Sequence, residues 1–339
     1  MKINVIYSEW KDVFPQEVYL DALRELGHTV NINNKNMEEY DYIICDTPRS
    51  DTIKLIQKAL KYPDKLIYVD TADDPFFRKI AKKVGINFKR ELFFKELLEK
   101  TYNLKPKKYI DSLVWCAVAV PNKNMATSKI NTISNLSKYF FNKNHRDIFA
   151  IDNEYIESYK KSYPFNLNIK KEVNKKYLNL KKDIDIFISM SNTSPFRKMY
   201  IDEIIKISKQ NNYKTKIFFG DKELLFYDTY EELLSRSKVS LSVEGVGYDT
   251  FRYWEIPAHR TAMLSTDISK FIRIPNNFID RKEAYFFKNK TELKVALEDL
   301  LDNKKWEDIA EKGFKKYNNH HTPLKRIEKV LNIVENVKK

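Results

Sequence analysis

The feature that most constrains the fold of this 339-residue chain is a regular alternation of short apolar runs with amphipathic stretches. Runs rich in Val, Ile, Leu and Phe indicate buried strands, whereas apolar positions three and four residues apart indicate helices. In the first part of the chain, the pattern predicts strands at residues 2–7, 29–32, 42–45, 65–70 and 87–89. Strands that alternate with helices favour a parallel sheet covered on both faces.

Amphipathic stretches between these runs predict the helices of the first part. They are expected at residues 16–26, 51–60 and 75–84. Gly27 and Gly85 follow the first and third helix, at the position where a glycine commonly ends a helix. Asp51 is expected to cap the second helix, because its short carboxylate can accept a hydrogen bond from the first turn.

The middle of the chain has a weaker pattern. Residues 113–120 suit a buried strand, whereas the stretch 122–179 is polar, lysine-rich and weakly periodic. It is expected to hold helices near 130–141 and 153–162, the linker between two domains, and a break at Pro164.

A second alternating series follows the linker. Its strands are predicted at residues 184–190, 215–219, 239–243 and 262–265, and its helices at 200–210, 230–235, 250–258 and 324–337. Two successive series predict an α/β protein with two doubly wound domains, whose carboxyl-end crevices face a cleft. The expected domains are residues 1–170 and 171–322, and residues 323–339 are expected to form a helix that crosses back to the first domain.

The charge of the chain restricts its partners. It has 61 Lys and Arg against 47 Asp and Glu, a formal net charge of +14. The basic residues are spread along the chain and mixed with acidic ones, so nucleic-acid binding is not expected. Contact with an anionic membrane surface is the alternative use of this charge.

Location and cysteine chemistry follow from the apolar runs. None approaches the roughly 18 apolar residues that span a bilayer, and the start predicts a strand rather than a signal peptide. A cytoplasmic protein is expected, with peripheral contact to the inner face of the membrane as the alternative. Cys45 and Cys116 lie inside apolar runs and are expected to be buried thiols rather than disulfide or metal ligands.

The residues best suited to chemistry lie at 242–259, where a predicted strand leads into a predicted helix. Gly245 and Gly247 permit positive φ and a close approach to a ligand, and the helix that follows offers free N–H groups to a phosphate. Arg252 lies in the first helical turn, where a cation is unfavourable unless an anion lies beside it. Glu255, three residues on, could accept hydrogen bonds from a ribose. The alternative is an ordinary glycine turn with an Arg–Glu surface pair.

The same segment resembles a known family. Residues 230–249 and 251–264 are similar to the donor-binding half of GT-B glycosyltransferases of the group 1 type, and most similar to the group with the spore-maturation CgeB-like domain. The tail pattern of that group is also present, at residues 309–313, His321, Thr322 and Arg326. Residues 70–75, 88–91 and 113–121 more loosely resemble its N-terminal region.

The resemblance implies two Rossmann-like domains and the transfer of a sugar from a nucleotide diphosphate to a glycan, lipid-linked or protein acceptor. It places the ribose at Glu255 and the diphosphate at Arg252 and the glycine turn, with Arg197 as a further phosphate ligand. The implied donor-binding residues are Arg197, Glu244, Gly245, Gly247, Arg252 and Glu255.

Two departures from the family pattern concern the same helix. Many retaining members carry two glutamates eight positions apart, but Gly247 stands eight residues before Glu255. The resemblance therefore leaves the stereochemical outcome open. A glycine often follows the helix in the family, whereas this chain has His259 and Arg260.

The resemblance also implies a reaction without a metal or a bound cofactor, because basic side chains and helix dipoles neutralise the leaving diphosphate. Residues 70–74, Asp-Thr-Ala-Asp-Asp, look like the acidic motif of metal-dependent transferases. Their place in the first domain favours a loop at the cleft edge or a helix cap.

A carboxylate or histidine must take the acceptor proton in an inverting reaction. Carboxylates in the carboxyl-end loops of the first domain are Glu9, Asp12, Asp46, Asp70, Asp73 and Asp74. Asp73 and Glu9 are the candidate catalytic residues. His259 is the histidine nearest the expected cleft, with a packed or capping role as its alternative. A non-catalytic nucleotide-sugar binder and a polyanion-binding protein are the alternative functions.

Overall fold

The computed structural model describes most of the second half of the chain and separate segments of the first half. The described residues are 1–7, 16–45, 51–70, 86–89, 162–164, 173, 175–220, 225–245 and 248–337. They form two sheets of parallel strands, which belong to two compact units of the chain. The predicted α/β class with two parallel sheets is therefore confirmed.

The first sheet contains the strands predicted for the first part of the chain. Its strands are β1 Lys2–Ile6, β2 Thr29–Ile32, β3 Tyr42–Cys45, β4 Leu66–Asp70, β5 Ile86–Lys89 and β6 Ser162–Pro164, in the spatial order β2-β1-β3-β4-β5-β6. Two helices are described here, α1 Gln16–Glu25 and α2 Ile53–Ala59. Strand β6 is not predicted from the sequence, because it is short and ends in a proline. An edge strand tolerates proline, since it has no second neighbour to bond.

The helix ends of the first part agree only partly with the sequence. Gly27 has φ +81°, and its N–H donates to the carbonyl of Arg24 at 2.9 Å, so the predicted glycine end of α1 is confirmed. Asp51 is not the cap of α2. The helix begins at Ile53 after Thr52, whose side chain makes no capping hydrogen bond. Cys45 is buried in β3, as predicted.

The second sheet and its helices form the larger part of the described chain. Its strands are β7 Ile184–Met190, β8 Thr215–Phe219, β9 Ser237–Ser242, β10 Ala262–Thr266 and β11 Tyr285–Phe287, in the spatial order β11-β10-β9-β7-β8. The helices are α3 Pro195–Asn211, α4 Tyr227–Ser235, α5 Phe251–Ala258, α6 Lys290–Leu301, α7 Trp306–His320 and α8 Pro323–Val337. Every strand predicted between residues 184 and 265 is present.

Helix α3 begins five residues before the predicted start at residue 200. Ser194 is in an extended conformation, and its side chain accepts a hydrogen bond from the N–H of Phe196. Pro195 occupies the first helical position, where its fixed φ suits a helix and its missing N–H costs nothing. Arg197 therefore lies in the first turn of a helix rather than in a loop.

Helix α8 covers the predicted last helix and packs against α1. Its buried face includes Ile327, Leu331 and Val334, at the spacing of a single helical stripe. The domain boundaries at residues 170 and 322, and the crossing role of residues 323–339, stay predictions. The elements expected at residues 75–84, 113–120 and 130–141 lie outside the described residues. Of the helix expected near 153–162, residues 153–161 are also not described, and Ser162 belongs to strand β6 instead. In the described chain, no helix is both long and apolar enough to cross a membrane.

Candidate functional site

The order of the second sheet creates a crevice between β7 and β9. The chain passes from β7 to β8 on one side, then returns to place β9 on the other side of β7. At such a reversal the loops after the two strands diverge, and ligands of doubly wound proteins bind outside the carboxyl ends. Arg197 follows β7, and Glu244 and Gly245 follow β9, so the structure brings these predicted residues to one point.

Arg197 ties the two loops together. Its side chain is buried, with 4% exposed. One terminal nitrogen donates to the Ser191 carbonyl at 3.0 Å and to Thr193 Oγ1 at 2.8 Å. The other donates to the Val243 carbonyl at 3.2 Å, and Nε donates to the Glu244 carbonyl at the same distance. The guanidinium thus sets the distance between the loops after β7 and β9.

Gly245 packs directly on this guanidinium. A Cβ atom at this position would lie 2.6 Å from Arg197 Nη2 and 3.0 Å from Thr193 Oγ1, both within overlap distance. Gly245 does not use the positive φ that glycine permits, since its backbone stays outside the left-handed region. Glycine is required here because the loop approaches Arg197 closely. Gly247 lies outside the described residues.

Arg252 approaches the same crevice from the opposite face of the sheet. It lies in the first turn of α5, and its Nε donates to the Ser189 carbonyl in β7. Burial, followed by the charge of Arg252, lowers the pKa of Arg197 to about 10, and the charge of Glu244 opposes this shift. The two guanidinium groups are therefore close enough to repel each other. Both also lie at the positive ends of helix dipoles.

Carboxylates do little to neutralise this pair. Among the described residues, neither Arg197 nor Arg252 has a carboxylate within ion-pair distance. Glu244 lies nearby, but its side chain accepts a hydrogen bond from Thr266 Oγ1 at the end of β10. Two adjacent cations bonded mainly to neutral oxygens form a site that favours an anion, since an anion would remove their repulsion.

Glu255 lies deeper, between α5 and α4. It is 7% exposed, and its Oε2 accepts a hydrogen bond from the Tyr230 hydroxyl at 2.8 Å. Burial raises the pKa of Tyr230, and the charge of Glu255 raises it further, so the phenol stays a donor. The Arg–Glu surface pair considered as an alternative is not what forms, because the Glu255 carboxylate is buried against a tyrosine.

His259 is a packed residue at the end of α5. It is 1% exposed, and its Nδ1 lies 2.7 Å from the Glu255 carbonyl, which can only accept. Nδ1 therefore carries a proton. Nε2 lies 3.3 Å from Glu231 Oε1 in the same buried layer. This arrangement agrees with the packed or capping role. It leaves neither ring nitrogen available to take the proton of an acceptor hydroxyl.

The remaining candidates lie in parts that the structure does not describe. These are Glu9, Asp12, Asp46, Asp73 and Asp74. Asp70 ends β4, but only its backbone is described. Among the residues that are described, no group of three or more His, Cys, Asp or Glu could hold a metal ion.

Ser191 and Thr193 belong to the site but are not predicted from the sequence. The combination Ser194-Pro195, a capping residue before a proline at the first helical position, is the local signal that could have placed a helix start here. A helix that starts at residue 195 puts Arg197 and both hydroxyl residues at the carboxyl end of β7.

A depression of about 560 Å³ lies at the opposite edge of the sheet. It is lined by Asp183 and Arg236, which precede β7 and β9 and form an ion pair at 2.8 Å. Their charges already neutralise each other. The amino-terminal edge of a doubly wound sheet is also not where its ligands bind, so we place the site at the carboxyl edge.

Comparison with known proteins gives a family match for part of the chain. Residues 207–332 match the sequence model of a family described as glycosyl transferase-like. This range contains Arg252 and Glu255 but not Arg197. None of the curated protein sequences matches the chain significantly.

Solved structures give more distant similarities. An α1,3-fucosyltransferase is 14% identical, with TM-score 0.47, over 99% of this chain and 89% of that one. HepE of Anabaena in complex with UDP is 8% identical, with TM-score 0.48, over 99% and 100%. The pneumococcal O-GlcNAc transferase GtfA in complex with UDP and GlcNAc is 9% identical, with TM-score 0.45, over 88% and 57%. This chain thus spans little more than half of the pneumococcal transferase.

These identities and TM-scores leave the donor and the acceptor open, and the narrower likeness to the CgeB-like group stays a prediction. The part of the chain that holds α5 and the second half of the sheet matches a glycosyl transferase-like family, in agreement with the resemblance in the sequence.

Proposed function

We propose that the chain is a GT-B glycosyltransferase that moves a sugar from a nucleotide diphosphate to a hydroxyl of a glycan, lipid-linked or protein acceptor. The observation that carries this proposal is the pair Arg197 and Arg252 at the switch point of the second sheet. The family match supports it for the part of the chain that contains Arg252.

In the proposed complex, the donor diphosphate lies between the two guanidinium groups. The free N–H groups at the start of α5 add further donors, because the first turn of a helix has no internal partners for them. The acceptor oxygen attacks the anomeric carbon, and the bond from that carbon to the diphosphate breaks. The negative charge that develops on the leaving diphosphate is then neutralised by Arg197 and Arg252.

Other predicted residues complete the proposal. Glu255 binds the ribose, and the loop with Glu244, Gly245 and Gly247 contacts the diphosphate. Asp73 or Glu9 takes the proton of the acceptor hydroxyl. The donor is a substrate rather than a permanently bound cofactor.

Donor hydrolysis without an acceptor tests this function. A glycosyltransferase should release nucleoside diphosphate slowly from its own sugar nucleotide, and a panel of UDP-, GDP-, CMP- and dTDP-sugars finds that donor by thermal stabilisation. Stabilisation without release in the presence or absence of acceptors would favour a binding protein. Binding of polyanions with a steep salt dependence and no effect of nucleotides would replace the proposal with a polyanion-binding protein.

Donor binding should not need a divalent cation, because two arginines already supply the positive charge. We expect the dissociation constant of the preferred nucleoside diphosphate to differ less than about 3-fold between EDTA and MgCl₂, as calorimetry would measure it. Strict dependence on a divalent cation would contradict the proposal and assign residues 70–74 as a metal site.

Gly245→Ala should weaken binding of nucleoside diphosphates about 10-fold or more, because the new Cβ displaces the Arg197 guanidinium. Overpacking should also lower the free energy of unfolding by about 1 to 3 kcal/mol. Gly27→Ala is the matched control, because Gly27 ends α1 at φ +81° and lies outside the crevice. An alanine at this φ should lower the free energy of unfolding and leave nucleotide binding unchanged. Equal loss of binding in both variants would refute the specific role of Gly245.

A further inference from the structure

Arg326, in the first turn of α8, is a deeply buried cation. Its side chain is 6% exposed, and both terminal nitrogens are buried. Neither nitrogen has a hydrogen-bond partner in the described part of the chain. A buried charge without hydrogen bonds lowers stability, so such a residue is expected mainly where it contributes to function.

The group that Arg326 contacts is the indole of Trp254. Its Cζ lies 4.1 Å from the centroid of that ring, within the range of a cation–π interaction. Trp254 belongs to α5, two residues after Arg252, and is 1% exposed. Arg326 thus packs against α5, the helix that carries Arg252.

The indole transmits this contact to the loop before α5. Trp254 Nε1 donates to Asp249 Oδ1 at 2.6 Å, and both residues are buried. Asp249 precedes Thr250, the N-cap residue of α5. The Asp249 carboxylate and the indole therefore fix the entry of the chain into the helix, which sets where its free N–H groups and Arg252 point.

The groups around Arg326 compensate its charge only in part. His321 contacts the same indole with 4.8 Å between ring centroids, and burial, followed by the charge of Arg326, holds its pKa well below the usual range. Its Nε2 lies 3.0 Å from the Asn276 carbonyl, so that nitrogen carries the proton of a neutral ring. Burial lowers the pKa of Arg326, and the nearby Asp249 carboxylate opposes this shift.

We propose that Arg326 is a positioning residue for the donor site, which acts through Trp254 and Asp249 to hold residues 248–250 and the start of α5. This inference rests on the proposed function, because its effect is on the affinity for a nucleoside diphosphate. It assigns the C-terminal helix a part in donor binding without any contact to the donor.

The variant Arg326→Met tests this role. It keeps most of the side-chain volume and removes the cation–π contact. We expect it to weaken the binding of the nucleoside diphosphate that the wild type prefers by about 10-fold. Its melting temperature should change little, because the buried cation that is removed has no hydrogen bond at either terminal nitrogen. A purely structural arginine would behave in the opposite way, with a lower melting temperature and unchanged affinity of the folded protein.

Lys329→Met is the matched control, since Lys329 is an exposed cation on the same helix. It should leave nucleotide affinity unchanged. Arg326→Lys keeps a cation and should restore part of the affinity. Loss of affinity in Lys329→Met equal to that in Arg326→Met would overturn the proposal.

Trp254→Phe covers the case in which Arg326→Met does not fold. Phenylalanine keeps a ring beneath the guanidinium but cannot donate to Asp249, so affinity should fall as in Arg326→Met, and the two changes together should be less than additive. A wild-type chain that binds no nucleoside diphosphate contradicts the proposed function. A wild type that binds, with folded variants that bind equally well, contradicts the positioning role alone.

Discussion

Replacing Arg197 with alanine is expected to weaken the binding of nucleoside diphosphates about 100-fold and to lower the free energy of unfolding by about 2 to 4 kcal/mol. Binding falls because a charge beside the phosphates is removed. Stability falls because the carbonyls of Ser191, Val243 and Glu244 lose a donor at the same time. Calorimetric titration and urea unfolding measure the two effects.

Two variants at the start of α3 control this experiment. Arg197→Lys keeps the charge but not the planar fork, so it should retain part of the affinity and little of the loop contact. Lys198→Ala removes the adjacent exposed cation, which pairs with Asp202 at 2.8 Å, and should change neither quantity. A folded Arg197→Ala protein with wild-type affinity would contradict the assignment of Arg197.

Arg252→Ala and Glu255→Gln are expected to affect different parts of the donor. Arg252→Ala should weaken the binding of a nucleoside diphosphate about 10- to 100-fold and change the binding of the bare nucleoside little, because the proposed contact of Arg252 is the phosphate. Glu255→Gln should make the binding free energy of both ligands less favourable to a similar extent, by about 1.5 to 3 kcal/mol, because the proposed contact of Glu255 is the ribose. Titration of each variant with uridine and UDP, or with the nucleoside that the wild type prefers, separates the two.

Glutamine is preferred to alanine at this position because the structure corrects an expectation from the sequence. The sequence suggests that Glu255→Ala would spare the fold, since the lost partner is a ligand. The structure shows that Glu255 already accepts a hydrogen bond from Tyr230, which alanine would leave buried without its acceptor. Tyr230→Phe removes the donor of the same hydrogen bond and serves as the control. If it weakens the nucleoside as much as Glu255→Gln does, the ribose role of Glu255 is refuted.

The strands of both sheets are predictable because parallel strands buried on both faces are continuous apolar runs. Helix α7 shows where this fails. Its sequence holds Gly313 in mid-helix, a residue that lowers helix propensity, and no helix is predicted there. The structure requires that glycine, because a Cβ would lie 2.6 Å from the Glu283 carbonyl. A tertiary contact has overridden local propensity.

The candidate site is predictable where its chemistry is local. Arg252 and Glu255 stand out because charge and spacing along one helix are visible in sequence. Residues joined only by the fold leave no such signal: Trp254 and Arg326 are far apart along the chain, and nothing near either one indicates that they touch.

The most direct test of the donor site is a calorimetric titration of the wild type and of the Arg197→Ala/Arg252→Ala double variant with UDP and GDP. At least one of them should bind the wild type with one site per chain, and the matching nucleoside should bind at least about 10-fold more weakly. The double variant should lose this preference for the diphosphate. Equal affinities of nucleoside and diphosphate for the wild type, or an unchanged preference in a folded double variant, would contradict the proposed donor site.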